Sequence, residues 1–197
     1  MHKHLRVLGV ALGAAILTVM GTANASTVLN ISPPNQTVAL GSTITVDVNV
    51  SGVADLYGYQ FDLSFNPSVL AAISSTEGSF LTTGGATFFI PGTNDNVGGA
   101  VSGTADTLLT AISGVTGSGT LAMFTFTAIG SGASTISIQN VTLLDSGLNS
   151  ITNTTMDGSI TVAPVPLPAS FLLLATGLAG LSLTRLKAKR GKYQVSA

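Results

Sequence analysis

Cysteine and tryptophan are both absent from this chain of 197 residues. Without cysteine there is no disulfide framework and no thiolate, so a folded body must be held by its own core. Histidine occurs only as His2 and His4, and every lysine and arginine lies before residue 7 or after residue 184. The stretch from Ser26 to Ala163 therefore carries no base of any kind. Its charges are Asp47, Asp55, Asp62, Glu77, Asp95, Asp106, Asp145 and Asp157, so zero bases less eight acids leaves a body near −8 behind a whole-chain value of −1.

These absences exclude whole classes of chemistry. A Ser–His–Asp or Cys–His arrangement has no base, and a zinc site of the usual kind has no His or Cys ligands. Nucleic acid and anionic membrane surfaces are repelled, because nothing in the body can neutralise phosphate. A carboxylate pair alone can hydrolyse glycosides, but these acids are scattered singly through the body. The expectation is a non-enzyme with no cofactor.

The basic residues are gathered at the two ends. Residues 1–25 have the layout of a signal peptide: Lys3 and Arg6, an apolar run from Val7 to Met20, then Ala23-Asn24-Ala25 with small residues at −3 and −1. The apolar run is shorter than the roughly 20 residues of a spanning helix. Cleavage is expected after Ala25. At the other end, Pro164 to Pro168 reads as a stiff proline-rich linker. Residues 169–186 read as a transmembrane helix, and 187–197 as a basic cytoplasmic tail. Arg185, Lys187, Lys189, Arg190 and Lys192 resist translocation, so the body is expected outside the membrane and the tail inside.

Between these ends a single domain, 26–163, is expected, long enough to bury roughly two thirds of its unfolded surface. Its periodicity is two. Thr43 to Val50 alternates polar and apolar; Tyr57, Tyr59, Phe61, Leu63 and Phe65 share one parity while Gly58, Gln60, Asp62 and Ser64 share the other. Further strands are expected over Val28–Ile31, Val69–Ser74, Thr87–Ile90, Ala100–Thr104, Thr107–Ile112, Thr120–Ile129, Thr135–Leu143 and Ser159–Val162. Turn signals such as Ser51-Gly52 and Gly117-Ser118-Gly119 separate them. No amphipathic helix stands out in the body. The pattern reads as an all-β sandwich.

Two candidate ligand chemistries remain. Asn94-Asp95-Asn96 is the densest cluster of side-chain oxygens, and calcium is the metal such oxygens allow. Its spacing fits no EF-hand loop, and Asn-Asp-Asn is also ordinary turn chemistry. Sugar stacking needs exposed aromatic faces, yet Tyr57 and Tyr59 share parity with Phe61, which places them toward the core.

Two resemblances extend this reading. Val165-Pro166-Leu167-Pro168-Ala169, the Leu/Gly-rich span and the basic cluster together resemble a PEP-CTERM sorting signal of Gram-negative bacteria, with Leu167 where the namesake motif has Glu. That resemblance implies an exosortase-type processing enzyme as partner, membrane attachment through the tail before processing, and a link to extracellular polysaccharide or biofilm. The body resembles a cohesin domain, a jelly-roll β-sandwich. The matching pieces are Val38 to Ser42 with Ile44 to Val50, Tyr59 to Leu70, Gly119 to Ala128, and Asp157 to Val162. Cohesins that grip a dockerin use Asn and Asp on the outward parity of the strand matching Tyr57 to Phe65. This resemblance implies a partner-binding face at Gly58, Gln60 and Asp62, although Gly58 and Gln60 stand where the family has Asn and Asp. The combined expectation is an exported protein, anchored at the inner membrane as precursor and then at the cell surface or extracellular. It would act as a structural or protein-binding module; the alternative is a carbohydrate-binding module serving polysaccharide assembly or catabolism.

Overall fold

A computed structural model of the chain describes residues 26–110, 113–164, 173–174 and 176–178. Among its described residues the body is all β apart from one four-residue helix. In chain order the elements are β1 (Thr27–Ser32), β2 (Asn35–Ala39), β3 (Thr43–Ser64), β4 (Leu70–Glu77), α1 (Ser79–Thr82), β5 (Thr93–Asp95), β6 (Ala100–Thr107), β7 (Val115–Ala128), β8 (Gly132–Asp145), β9 (Asn153–Met156) and β10 (Gly158–Ala163).

The two strands expected over Thr43–Val50 and Tyr57–Phe65 are one strand of 22 residues. Its first half pairs with β1 on one side and β7 on the other; its second half pairs with β6 and β8. One layer therefore runs β9-β1-β3-β7-β4, and the other β5-β6-β3-β8-β10-β2. The strand passes from layer to layer at Gly52–Asp55, where a simple turn was expected. Gly52 has φ 68° and Asp55 φ 58°, and the register with β7 slips on both sides of Val53. Such bulges bend a strand without ending it.

Asp55 holds this crossing. Its N–H donates to Thr116 Oγ1 at 3.0 Å, its Oδ1 accepts the Gly114 N–H at 2.5 Å, and its Oδ2 accepts the Ser146 hydroxyl at 2.6 Å. One carboxylate thus ties β3 to the chain entering β7 and leaving β8. A side chain at Gly114 would stand 2.4 Å from the Asp55 backbone, so only glycine permits the approach.

The core lies between the layers. Phe61 of one layer meets Phe124 of the other edge-on with ring centroids 6.0 Å apart, and Phe65 meets Phe126 at 5.2 Å. Each side chain buried this fully contributes roughly 1.5–3 kcal/mol of transfer free energy. α1, too short to register as a helical pattern, follows β4 and buries Phe80 and Leu81.

Several differences from the expected strands are local. Thr87–Ile90 makes isolated bridges to Leu108 and Ala105 instead of a full strand. The expected break between Thr104 and Thr107 is absent, because β6 is continuous. β2, β5 and β9 are edge strands with no buried residue, so no apolar alternation marks them.

The signal peptide and its cleavage residues Ala23 and Ala25 lie outside the described residues, as do the sorting motif Val165–Pro168 and the basic cluster. Residues 173–174 and 176–178 are helical. No helix among the described residues is long and apolar enough to cross a membrane.

The edges of the two layers are joined where β5 passes β4. Asn96 accepts the Ala72 N–H at 2.7 Å and donates to the Ala72 carbonyl at 3.0 Å, and Asn94 donates to the Ile73 carbonyl at 3.1 Å. An amide side chain here replaces a missing ladder partner beside the β4 register shift between Ala72 and Ser74. Replacing Asn96 with Ala should lower stability by about 1–3 kcal/mol, the cost of stranding two backbone groups. Chemical denaturation checks this against Val97→Ser, at a side chain 91% exposed, which should shift it by no more than about 0.5 kcal/mol.

Candidate functional site

The outward parity of the second half of β3 forms the floor of a pocket of ≈ 210 Å³. Gly58 stands between Thr107 of β6 and Leu144 of β8; Gln60 stands between Ala105 and Thr142. Phe88 and Ile90 form a wall. They are seated on β6: Phe88 N–H donates to the Thr107 carbonyl at 2.8 Å, and Ile90 N–H to that of Ala105 at 2.7 Å. The hollow exists because Gly58 has no side chain and Ala105 a small one. A Cβ on Gly58 would come within 3.2 Å of the Asp106 carbonyl and the Thr107 hydroxyl.

The structure brings Gly58 and Gln60 together at this pocket, but it employs Asp62 differently. Asp62 Oδ1 accepts the Gly103 N–H at 2.7 Å, and its Oδ2 accepts an N–H from the Asn140 side chain at 2.7 Å. Both flanking strands slip register beside it, and Gly103 (φ 74°) and Asn140 (φ 51°) take left-handed backbone. The carboxylate clamps the two bulges, so its oxygens already have partners within the sheet.

Asn94, Asp95 and Asn96 lie away from the pocket. Asp95 Oδ1 accepts N–H groups of Val97 and Gly98 at 3.0 and 2.8 Å, and these bonds, Gly98's first, hold its carboxyl below the ordinary value. The cluster is a turn whose amides bind β4. Among the described residues, no group of three or more His, Cys, Asp or Glu side chains could hold a metal ion.

Beneath the pocket lies a feature that residue patterns did not single out. Asp106 sits opposite Tyr59 in the β3–β6 register and shares its inward face. It is only 3% exposed. Its Oδ1 accepts the Thr107 N–H at 2.8 Å, while Oδ2 has no hydrogen-bond partner among the fixed donors. Glu77, at the end of β4 in the opposite layer, presents its carboxyl within hydrogen-bonding reach. Glu77 Oε1 accepts the Thr87 hydroxyl at 2.5 Å. Tyr59 donates its hydroxyl to the Leu121 carbonyl at 2.6 Å, a bond from one layer to the other. Burial, then the charges of Asp106 and Glu77, push the Tyr59 phenol upward.

Burial first, and the facing Glu77 charge second, raise Asp106 from its ordinary 3.8 to about 7. The sequence held a signal for it. An acid falls at a core-parity position, in step with Val101 and Leu108 across a bulge, where an apolar residue is expected.

This raised value has a direct consequence for stability. The folded state keeps a proton that the unfolded chain releases, so the Asp106 contribution is full below 3.8 and is lost as pH rises through about 7. Asp55 acts oppositely. The Ser146 hydroxyl, then the Gly114 N–H, hold it below 3.8, so its contribution is lost as pH falls beneath that value. Unfolding midpoints measured across pH should be highest near the ordinary carboxylate value and decline through neutrality. Asp106→Asn should flatten the neutral decline and leave the acid limb in place.

Comparison with known proteins follows the same architecture. The family model described as Cohesin domain matches residues 29–162. No curated protein matches by sequence. Among solved structures, a non-cellulosomal cohesin from the hyperthermophilic archaeon Archaeoglobus fulgidus is similar at 20% identity and TM-score 0.56, over 71% of this chain and 92% of that one. A type II cohesin domain from the cellulosome of Acetivibrio cellulolyticus aligns at 16% identity and TM-score 0.59, over 69% and 95%. The sixth cohesin of scaffoldin B from the same organism, solved in complex with a Cel5 dockerin mutant, aligns at 20% identity and TM-score 0.57, over 71% and 100%.

Proposed function

Since this chain belongs to the cohesin family, we propose that its body is a protein-binding module whose recognition face is the outer pocket on β3, β6 and β8. Cohesin domains are non-catalytic interaction modules, and the absence of any base in the body is in keeping with that. The observation that carries the reading is the pocket: a concave floor at Gly58 and Gln60 with exposed apolar side chains at its rim, Phe88 at 59% and Ile90 at 44%. A hollow rimmed by apolar side chains, one of them an exposed aromatic, is what a protein partner's anchoring side chain fits. The solved relatives in complexes hold dockerins; here Gly58 and Gln60 stand where dockerin-gripping strands carry Asn and Asp, so the partner is defined by the pocket instead. The carbohydrate-binding alternative loses its tyrosine platform, because Tyr59 is inside the core and Tyr57 packs against it.

The ends supply the address. Residues 1–25 export the body, and the span with its basic cluster anchors the precursor in the inner membrane. An exosortase-type enzyme then acts at Val165–Pro168, leaving the body at the cell surface or in the extracellular matrix. What supports this is the order of motif, span and charges, and the confinement of every base to the two ends.

Two experiments test the reading. Partners captured by the full chain from the secreted and surface proteins of its source should lose affinity about tenfold or more on Phe88→Ala or Gly58→Val. Thr125→Glu, on the outer face of the opposite layer, should leave capture unchanged. Capture insensitive to the pocket variants, or retention on a glycan array that Phe88→Ala abolishes, would sink the protein-binding reading. Separately, deleting residues 165–197 should stop processing and surface retention; an unchanged mature size and location would overturn the sorting proposal.

A further inference from the structure

Burying a carboxylate in a domain without a single cation raises the question of what neutralises it. Around Asp106 the titratable neighbours are few. β3 contributes Tyr59 and β4 contributes Glu77. α1, β7 and residues 84–92 carry no titratable side chain at all. No lysine, arginine or histidine exists anywhere between residues 26 and 163. A proton is therefore the one positive charge that the body itself can place there.

We infer that Asp106 and Glu77 share a single proton across the two layers, and that this proton gates the pocket by holding its wall, residues 87–90, in place. The geometry joins the pair to the wall at three points. Thr87, the first wall residue, donates its hydroxyl to Glu77. Phe88 and Ile90 hang from the carbonyls of Thr107 and Ala105, the residues on either side of Asp106. The unpartnered Oδ2 of Asp106 is the atom that a shared proton would occupy, bridging to the Glu77 carboxylate.

With the proton held, one net charge is spread over two carboxyls and the wall is seated. With the proton released, two carboxylates face each other in a buried place with no counter-charge. The cheapest relief is for Glu77 to swing outward. Thr87 then loses its acceptor, and the wall loosens with it. The pocket is formed under acid conditions and opens as pH rises through neutrality. For a partner, this predicts tighter binding at the acid end, a consequence that rests on the proposed role of the pocket; the gate itself does not.

The test is a carbon-13 carboxyl NMR titration of the full chain in detergent micelles, read together with the amide signals of Phe88 and Ile90. The expected result is that the Asp106 carboxyl carbon moves in a step near neutrality. The Phe88 and Ile90 amides should follow with the same midpoint, and Asp106→Asn should abolish their response. Asp106 titrating with the ordinary carboxylates, or wall amides indifferent to the step, would overturn the inference. Should Asp106→Asn fail to fold, Thr87→Val keeps both carboxyls and cuts the link to the wall. It should preserve the carboxyl step and reduce the Phe88 shift several-fold; an undiminished shift would contradict the gate. No partner enters this measurement, so its failure and a failure of the binding reading are separable.

Discussion

Everything in this fold depends on one strand serving two sheets. β3 gives its first half to the layer of β1, β4, β7 and β9 and its second half to the layer of β2, β5, β6, β8 and β10. A strand that changes layers must bend and twist while keeping its apolar parity inward on both sides. The bend exposes backbone groups that the ladder no longer satisfies, and leaving such groups unpaired when buried costs about 1–3 kcal/mol each. Asp55 meets that need at the crossing, with bonds to Thr116, Gly114 and Ser146. Asp62 meets it seven residues later, where both flanking strands bulge. Asp55, Asp62 and Asp95 are thus structural fasteners, each carboxylate accepting N–H or O–H groups of the surrounding chain.

The same crossing produces the pocket. Because the second half of β3 is central in its layer, its outward residues are flanked by strands on both sides. A glycine there becomes a hollow instead of an edge. The wall residues Phe88 and Ile90 are laid over that hollow by bonds to β6. Directly beneath, Tyr59 bonds across the layers and Asp106 faces Glu77. The pocket and the buried Asp106 lie on the two sides of one pleated sheet, separated by a single residue of register, and Glu77 faces Asp106 from the other layer.

Much of the sandwich is legible in the residues. Alternation along Thr43 to Val50 and along Tyr57 to Phe65 reports the buried face of each half of β3, because one face of each is core. The continuity of the two halves is not legible. A left-handed φ at Asp55 and a glycine at 52 look the same in sequence whether they turn the chain or bend a strand, and long-range bonds from Asp55 decide between them. The edge strands β2, β5 and β9 escape for a different reason: none of their residues is buried, so no apolar alternation is imposed. For the site, the outward parity at Gly58 and Gln60 is legible, but Asp62 reads as an exposed acid and turns out to clamp two bulges. Phe88, Ile90 and the Asp106–Glu77 pair require knowing which strands are neighbours.

The central claim is that the outer face of β3, β6 and β8 is where this domain meets another protein. A photo-crosslinking residue placed at Gln60, with a second version carrying it at Thr125 on the opposite layer, tests it most directly in living cells. The account predicts a discrete protein adduct from position 60 and none from position 125. An adduct from position 125 alone, or adducts made only to glycan, would contradict it.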